Sequence, residues 1–518
     1  MMISLEEYRK ELENLTLEEL SERKQKLEKF INDYENNNLS EQEYSDELSP
    51  QTKYKLFKEY LDEVMIEFGL RRHQSEWEGV KVFESQCANC KNYLEDINCK
   101  IYGEISFDIL GNKKVCPNRK NINSNKVLNK YKGCLIGGAI GDALGYPIEF
   151  NRSIESIRSK YGKTGITRFD LQDGKARISD DTQMTLFTAN GLIWENTRKH
   201  LKGISPNPVD CIYMAYKNWH NTQLRKEYRD NSSNICWIYN LPELNVERAP
   251  GLTCMEALSG SNRGTFKNPL NDSKGCGGVM RISPCGLYFK PKDIKDYDTF
   301  DSVGRLAAEA SVLTHGHPLG YIPSYVLAII INILAYDNYI SIEEALDIAM
   351  KVYKKRFNIA DRKTNKYFIE LMEKTKKLAK QNFDDVDSIY ELGEGWVAEE
   401  ALAIALYSCI KYQNDFEKAI ICAVNHGGDS DSTGAIAGNI IGTYLGFDQI
   451  PEYYIENLEL RDVILELSED LYTVCSTDEF DKSNDKYWLS KYLYIERDEK
   501  LKEKNNLKED LSEMHPLE

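Results

Sequence analysis

The chain has 518 residues, enough for one large domain with smaller ones beside it, and its 83 acidic residues outnumber 66 basic ones for a formal charge of -17. That balance argues against a nucleic-acid backbone as the main partner. The opening Met1-Met-Ile-Ser-Leu-Glu-Glu-Tyr-Arg-Lys is charged at once, which argues against a secretory leader, and the thirteen cysteines are scattered mostly singly through apolar segments, as in a reducing cytoplasm.

Residues 1–72 alternate Leu, Tyr, Phe and Ile with Glu and Lys, which predicts amphipathic helices separated by the polar turn at 36–40. A solvated helical arm is preferred here over a dedicated partner-binding element. Residues 73–123 carry Cys87-Ala-Asn-Cys90, Cys99 and Cys116 among short β-prone pieces. A C-x2-C knuckle with two further cysteines suits a four-thiolate structural zinc, ahead of an iron–sulfur cluster or unligated thiols, and such a small module needs a staple. From 124 to about 495 the 3.6-residue period recurs at 301–314, 321–336, 342–356, 365–381, 396–412 and 452–474, which predicts an all-α main domain. The longest apolar run, 325–336, is too short to span a bilayer and reads as a buried helix. Residues 496–518 form a charged tail.

Two stretches of the main domain place glycine at every helical turn, at 133, 137, 141 and 145 and again at 434, 438, 442 and 446. Bare backbone at i, i+4 and i+8 lets another helix approach closely, at about 1 kcal/mol per glycine relative to alanine. The two helices are therefore expected to pack on each other. The first carries Asp142 and leads to Glu149; the second is preceded by Asn425-His-Gly-Gly-Asp429-Ser-Asp431-Ser432-Thr433. Their packing would bring Glu149 towards Asp429 and Asp431, and so dense a set of hard oxygen donors suits Mg²⁺, Ca²⁺ or Mn²⁺.

Three other segments carry unusual residues. In Ser179-Asp180-Asp181-Thr-Gln183 the acids read equally as metal ligands or as a helix start, with Asp180 the N-cap and Gln183 closing a capping box. Gly275-Cys-Gly277-Gly278 is a turn whose amides could cradle a phosphate, though an ordinary tight turn is the plainer reading. In His315-Gly-His317, with oxygen ligands elsewhere, a histidine hydrogen-bonding a polar ligand is preferred to a zinc pair. Asp429-Ser-Asp431-Ser-Thr433-Gly434 begins like an EF-hand loop, but its twelfth position is Ile440, where a bidentate Glu is needed. The same stretch fits the D-x-D-x-T of haloacid-dehalogenase-type phosphatases poorly, because Asn-His-Gly-Gly stands where a buried strand should end.

In combination, Gly141-Asp-Ala-Leu-Gly-Tyr-Pro-Ile-Glu149, Ser179-Asp-Asp-Thr-Gln-Met-Thr185, Gly-Gly-Val-Met-Arg281, Thr314-His-Gly-His-Pro318 and Gly427-Gly-Asp-Ser-Asp-Ser432 resemble the ADP-ribosylglycohydrolases. The resemblance is to the branch of the dinitrogenase-reductase-activating glycohydrolases and covers roughly 124–475. It implies a large orthogonal all-α domain with two Mg²⁺ ions, Mn²⁺ being an alternative. By position the metal ligands would be Ser179, Asp180 and Asp181, then Asp429, Asp431 and Ser432, with Ser179 and Ser432 where many relatives carry threonine. Glu149 would activate water or sense the substrate linkage, and Gly277, Gly278 and His315 would line the ADP-ribose pocket. The implied reaction removes ADP-ribose from a modified protein side chain, arginine first and serine second, or from a small molecule containing ADP-ribose. The alternative is a catalytically silent ADP-ribose-binding or structural relative. The resemblance leaves the arm, the cysteine module and the tail uncovered; by composition no membrane partner is expected and a nucleic-acid partner is disfavoured.

Overall fold

The structure is a computed structural model that describes residues 5–12, 15, 17–36, 49–71, 98–99, 103–104, 126–229, 234–476, 480 and 482–493. By internal contacts the chain divides into two units, Met1–Ser124 and Asn125–Glu518.

In the first unit, helices α1 (Leu5–Leu12), α2 (Leu17–Glu35) and α3 (Pro50–Arg71) close a small core of their own. Tyr8, Leu12, Leu27, Ile31, Tyr60, Leu61 and Val64 are buried there, with the Tyr8 and Tyr60 rings stacked at 4.0 Å. A two-residue antiparallel ladder pairs β1 (Asn98–Cys99) with β2 (Gly103–Glu104). Of the four cysteines assigned to zinc, Cys87, Cys90 and Cys116 lie outside the described residues, and Cys99 is described only as backbone of β1. The tail at 496–518 is outside them too.

The second unit is mostly helical. Seven of its helices matter for the site: α4 (Lys126–Gly145), α5 (Asp180–Lys202), α6 (Tyr297–Val312), α7 (Pro318–Tyr336), α8 (Ala398–Lys411), α9 (Phe416–Val424) and α10 (Ser430–Leu445). The apolar run at 325–336 is part of α7, whose 19 residues are long and apolar enough by composition to cross a membrane; 94% of its most apolar window is buried inside the domain. Core packing therefore accounts for its apolarity. The periodic stretch 452–474 is interrupted, giving helices Glu452–Glu456 and Arg461–Ser476. At the break Leu460 takes φ +57°, and the backbone pairs with Ala176 through Ala176 N to Asn457 O at 2.9 Å and Glu459 N to Ala176 O at 3.1 Å. The Glu459 carboxylate then holds the Ile178 amide at 3.1 Å and the guanidinium groups of Arg177 and Arg248 at 2.6 and 3.1 Å. Local periodicity yields to this pairing because it fixes the strand-like segment that delivers Ser179.

Among the described residues the most extensive helix pairing joins α4 and α10. They run antiparallel in a fixed register: a methyl group on Gly133 would meet Gly442 O at 2.1 Å, on Gly137 Gly438 O at 2.4 Å, on Gly141 Gly434 O at 1.9 Å, and on Gly145 Ser430 O at 2.2 Å. No side chain fits in those gaps, so the glycine period is a steric requirement of the contact. One end of this pair holds the C-terminus of α4 against the N-terminus of α10, and the acidic residues gather there.

Candidate active site

Glu149 follows α4 by way of a short 3-10 turn, Tyr146–Ile148, and the Glu149 carboxylate lies with those of Asp429 and Asp431 so that one oxygen of each falls within 4.8 Å of the others. All three residues are buried. Asp429 is the N-cap of α10, and its amide is held by Glu394 O at 2.9 Å. The Gly427-Gly428 turn ahead of it passes under two backbones, since a methyl on Gly428 would meet Glu394 O at 1.8 Å and one on Gly427 Arg152 O at 2.7 Å.

The second acidic group arrives on α5. Ser179 is its N-cap and accepts from the Asp181 amide at 3.2 Å. The expectation that Asp180 would cap and Gln183 would close a box is corrected: Asp180 accepts from Gly251 N at 3.1 Å, and Gln183 Oε1 accepts from Trp219 Nε1 at 3.1 Å while its amide donates to Val246 O at 3.1 Å. Tertiary partners outcompete the local box because the α5 N-terminus is already satisfied from elsewhere. Asp142, on α4, accepts from Ser179 N at 3.0 Å and Thr182 N at 3.1 Å and from the Thr182 hydroxyl. A carboxylate from one helix thus caps another, where the helix dipole favours negative charge. Ser432 Oγ donates to Asp181 Oδ1 at 2.9 Å, joining the two acidic groups.

Among the described residues none of Asp142, Glu149, Asp180, Asp181, Asp429 and Asp431 has an ion-pair partner, and Glu149 Oε2 has no hydrogen-bond partner at all. Burial, then the like charges of Asp431, Asp429 and Asp180, push Glu149 up to about 11; burial and Asp431 push Asp142 up to about 7. Asp180, Asp181 and Asp429 are raised by burial first and by Asp431 as well. Carboxylates crowded this way are costly unless protons or cations offset them. Oxygen donors fit a hard divalent ion, and Glu149, Asp429, Asp431, Asp181 and Asp180 could hold one or two, with the hydroxyls of Ser179 and Ser432 beside them.

Against this cluster lies the Gly275–Gly278 turn. The amides of Gly275 and Cys276 are engaged by Ser273 Oγ at 3.3 Å and Trp396 O at 3.1 Å. A side chain at Gly277 would come within 3.0 Å of the His315 ring, and one at Gly278 within 2.9 Å of Gly320 O. Gly277 and His315 are therefore neighbours, whereas Gly278 packs on the start of α7. His317 stands apart from them as the cap of α7, its Nδ1 accepting from Leu319 N at 3.0 Å.

Arg281 fixes the state of His315. The guanidinium is fully buried over the Tyr216 ring, 4.2 Å from its centroid, and donates to Thr314 Oγ1 at 2.7 Å. The Thr314 hydroxyl, 2.8 Å from His315 Nδ1, can then donate to it, which leaves the proton on Nε2, facing the glycine turn. Burial and the Arg281 charge lower the imidazole to about 3, so it is neutral and a donor.

Three participants escape sequence reading. Cys276 Sγ donates to Asp429 Oδ2 at 2.7 Å, a contact across 153 residues. Phe150 and Trp396 are exposed and stack on each other, with centroids 6.4 Å apart and planes at 21°. Phe150 follows Glu149, and Trp396 follows Gly395, whose φ of +85° lets the chain turn against Asp429. Exposed aromatics beside an acidic carboxylate in sequence are common, so only the fold singles these out.

Comparison with known proteins supplies a family. The ADP-ribosylglycohydrolase family model matches residues 123–480. An uncharacterized protein of Archaeoglobus fulgidus is 27% identical over 349 residues, 66% of this chain and 96% of its own. ADP-ribosylhydrolase ARH3 of Gallus gallus is 23% identical over 64% of this chain and 89% of its own. ADP-ribosylarginine hydrolase Tri1 of Serratia proteamaculans is 25% identical over 68% and 81% respectively.

Proposed function

The chain belongs to the ADP-ribosylglycohydrolase family, and from that premise we propose that it is a binuclear Mg²⁺-dependent hydrolase that removes ADP-ribose from a protein side chain, arginine first and serine second. The observation that carries the reading is the buried, unpaired carboxylate cluster at the end of the α4–α10 pair, with Glu149 Oε2 left without a partner. Asp180, Asp181 and Ser179 would hold one ion and Asp429, Asp431 and Ser432 the other, and Mn²⁺ fits the same donors. Bound there, the ions supply charge that orients ribose hydroxyls and water in one frame.

The chain's own residues do the rest. Cations held there would offset the charges of Asp429 and Asp431, and Glu149, relieved of the like charges that favour its protonated form, could take a proton from water. That water adds to the anomeric carbon as the glycosidic bond breaks, and the proton passes to the departing side-chain nitrogen or oxygen. His315, held neutral with its proton on Nε2, donates to an oxygen of the ADP-ribose seated on the Gly277 turn. The Phe150–Trp396 pair favours arginine over serine, because a guanidinium is a planar cation that stacks on aromatic faces. One relative is named an ADP-ribosylarginine hydrolase, which supports arginine as a linkage to try first. The nine cysteines whose side chains are described, all free, support a reducing cytoplasm.

The test is release of ADP-ribose from an arginine-ADP-ribosylated protein with and without Mg²⁺, beside the Asp429→Ala/Asp431→Ala variant. Metal-dependent release lost in the variant supports the reading, and release unaffected by the variant overturns it. No release from arginine-linked or serine-linked substrate, with ADP-ribose still bound, establishes the catalytically silent alternative.

A further inference from the structure

The backbone of Asp429 is anchored by the carbonyl of Glu394, so the setting of a candidate metal ligand depends on one peptide bond in a distant segment. That peptide lies in a pliable place. Gly393 has φ +128° and Gly395 φ +85°, values that glycine takes freely and side chains rarely adopt. A flip of the Glu394–Gly395 peptide would take the carbonyl away from Asp429 N and leave an N–H in its place. Glu400, in the first turn of α8, opposes the flip: its Oε2 accepts from Glu394 N at 3.0 Å and from Gly395 N at 3.3 Å. A trans peptide is planar, with N–H and C=O pointing opposite ways, so fixing Gly395 N on Glu400 aims Glu394 O at Asp429 N, 2.9 Å away. The carboxylate also fills the space over Gly393, where a methyl would meet its carbon at 2.3 Å.

The same segment serves the other side of the site. Trp396 O accepts from Cys276 N at 3.1 Å, Ala398 N donates to Lys274 O at 2.9 Å, and the buried Glu399 pairs with the Lys274 ammonium. Residues 394–398 are thus a strap with Asp429 on one edge and the Gly275–Gly278 turn on the other. Trp396, stacked on Phe150, rides on it.

We propose that Glu400 is a positioning residue for hydrolysis: by holding the Glu394–Gly395 peptide in one orientation, it sets Asp429 for the divalent ion and Trp396 for the modified side chain. It acts through backbone, and the proposal rests on reading Asp429 as a metal ligand. What the strap needs from Glu400 is an acceptor oxygen at the right reach. Both amides go to a single oxygen, which glutamine also carries, so the negative charge is dispensable.

Hydrogen exchange at the Asp429 amide and Mg²⁺ titration, neither of which needs turnover, compare full-length wild type with Glu400→Ala and Glu400→Gln. In Glu400→Ala the amide is expected to exchange at least about tenfold faster and Mg²⁺ to bind about 10–100-fold more weakly, as when groups that support a metal ligand are removed. Glu400→Gln should match wild type in both. Ser341→Ala, which breaks the capping box of the helix Ile342–Arg356, controls for a general loss of stability and should leave both readings unchanged. An Asp429 amide equally protected in wild type and Glu400→Ala overturns the proposal. A glutamine variant as impaired as the alanine one overturns it too, since charge and not hydrogen bonding would then hold the strap. Equal Mg²⁺ affinity in wild type and Glu400→Ala refutes the positioning role alone, whereas wild type that binds no Mg²⁺ overturns the metal reading beneath it. Should Glu400→Ala lose its helical circular dichroism, Glu400→Asp, one methylene short of the two amides, is measured in its place.

Discussion

Gly141→Ala is the sharpest test of the α4–α10 contact. The added methyl would lie 1.9 Å from Gly434 O and 2.3 Å from Gly434 C, both backbone atoms that no rotamer change can move. Reaching ordinary contact requires the helices to part by more than about 1 Å. Alanine gains about 1 kcal/mol of helix propensity over glycine, while overpacking against a rigid neighbour costs about 1–3 kcal/mol and more when backbone must shift. Separation also loosens the neighbouring contacts of Gly137 and Gly145, so a net loss of about 2–4 kcal/mol is expected. The same shift carries Asp142 and Glu149 away from Asp431. The assay is the denaturation midpoint with and without Mg²⁺: the variant should unfold several degrees earlier and gain less from the ion. Gly260→Ala serves as the control, because its added methyl meets nothing within 4 Å and its φ is -76°. If Gly141→Ala were as stable as Gly260→Ala, the close packing of the two helices would be refuted.

Glu149→Gln should lower hydrolysis about 100-fold or more while ADP-ribose binding persists, which equilibrium binding beside a rate assay will show. Thr314→Val keeps the shape but strands His315 Nδ1 and leaves Arg281 Nη2 only the longer bond to Ala310 O at 3.4 Å, so about 1–3 kcal/mol of stability should be lost, along with ADP-ribose affinity, by thermal melts and titration. In metal-free protein, Asp142 at about 7 and Glu149 at about 11 sit above their unfolded values near 4, so the folded state holds extra protons and stability falls as pH rises from about 4 through 7 and beyond. His315 at about 3 and His426 at about 4 act oppositely, costing stability as pH drops below about 6.5. Melting temperatures at about pH 6 and about pH 8, with chelator and then with Mg²⁺, should show a loss at the higher pH that the ion removes; an equal loss with Mg²⁺ bound would contradict the carboxylate account.

Much of this arrangement is legible because it is periodic or clustered. The glycines of α4 and α10 recur at one per turn, and that spacing alone says that two backbones must meet; it also places Glu149 near Asp429 and Asp431. What the sequence hides is the partner supplied by another element. Asp142 reads as a helix carboxylate, yet its role as cap of α5 depends on Ser179 arriving beside it, which in turn depends on the Ala176–Asn457 pairing. For the same reason Asp180 looks like a cap and is instead bonded to Gly251. Cys276, Phe150 and Trp396 have no spacing that marks them, since each acquires its neighbours only on folding. The broken helix at 452–476 follows the same rule: a residue with positive φ and a short backbone pairing override a continuous apolar period.

The α4–α10 register has a consequence for synthesis. Its two halves stand at opposite ends of the domain's sequence, and the Ser432–Asp181 bond alone closes a loop of 251 residues. A ribosome must therefore finish α10 before α4 meets its most extensive partner, and contacts so distant in sequence form late and slowly. Until then the first acidic group has no second, so a truncated or half-made chain cannot assemble the complete centre. Assembly of the centre is in this way tied to synthesis of α10, and core helices such as Arg461–Ser476 are added only after it.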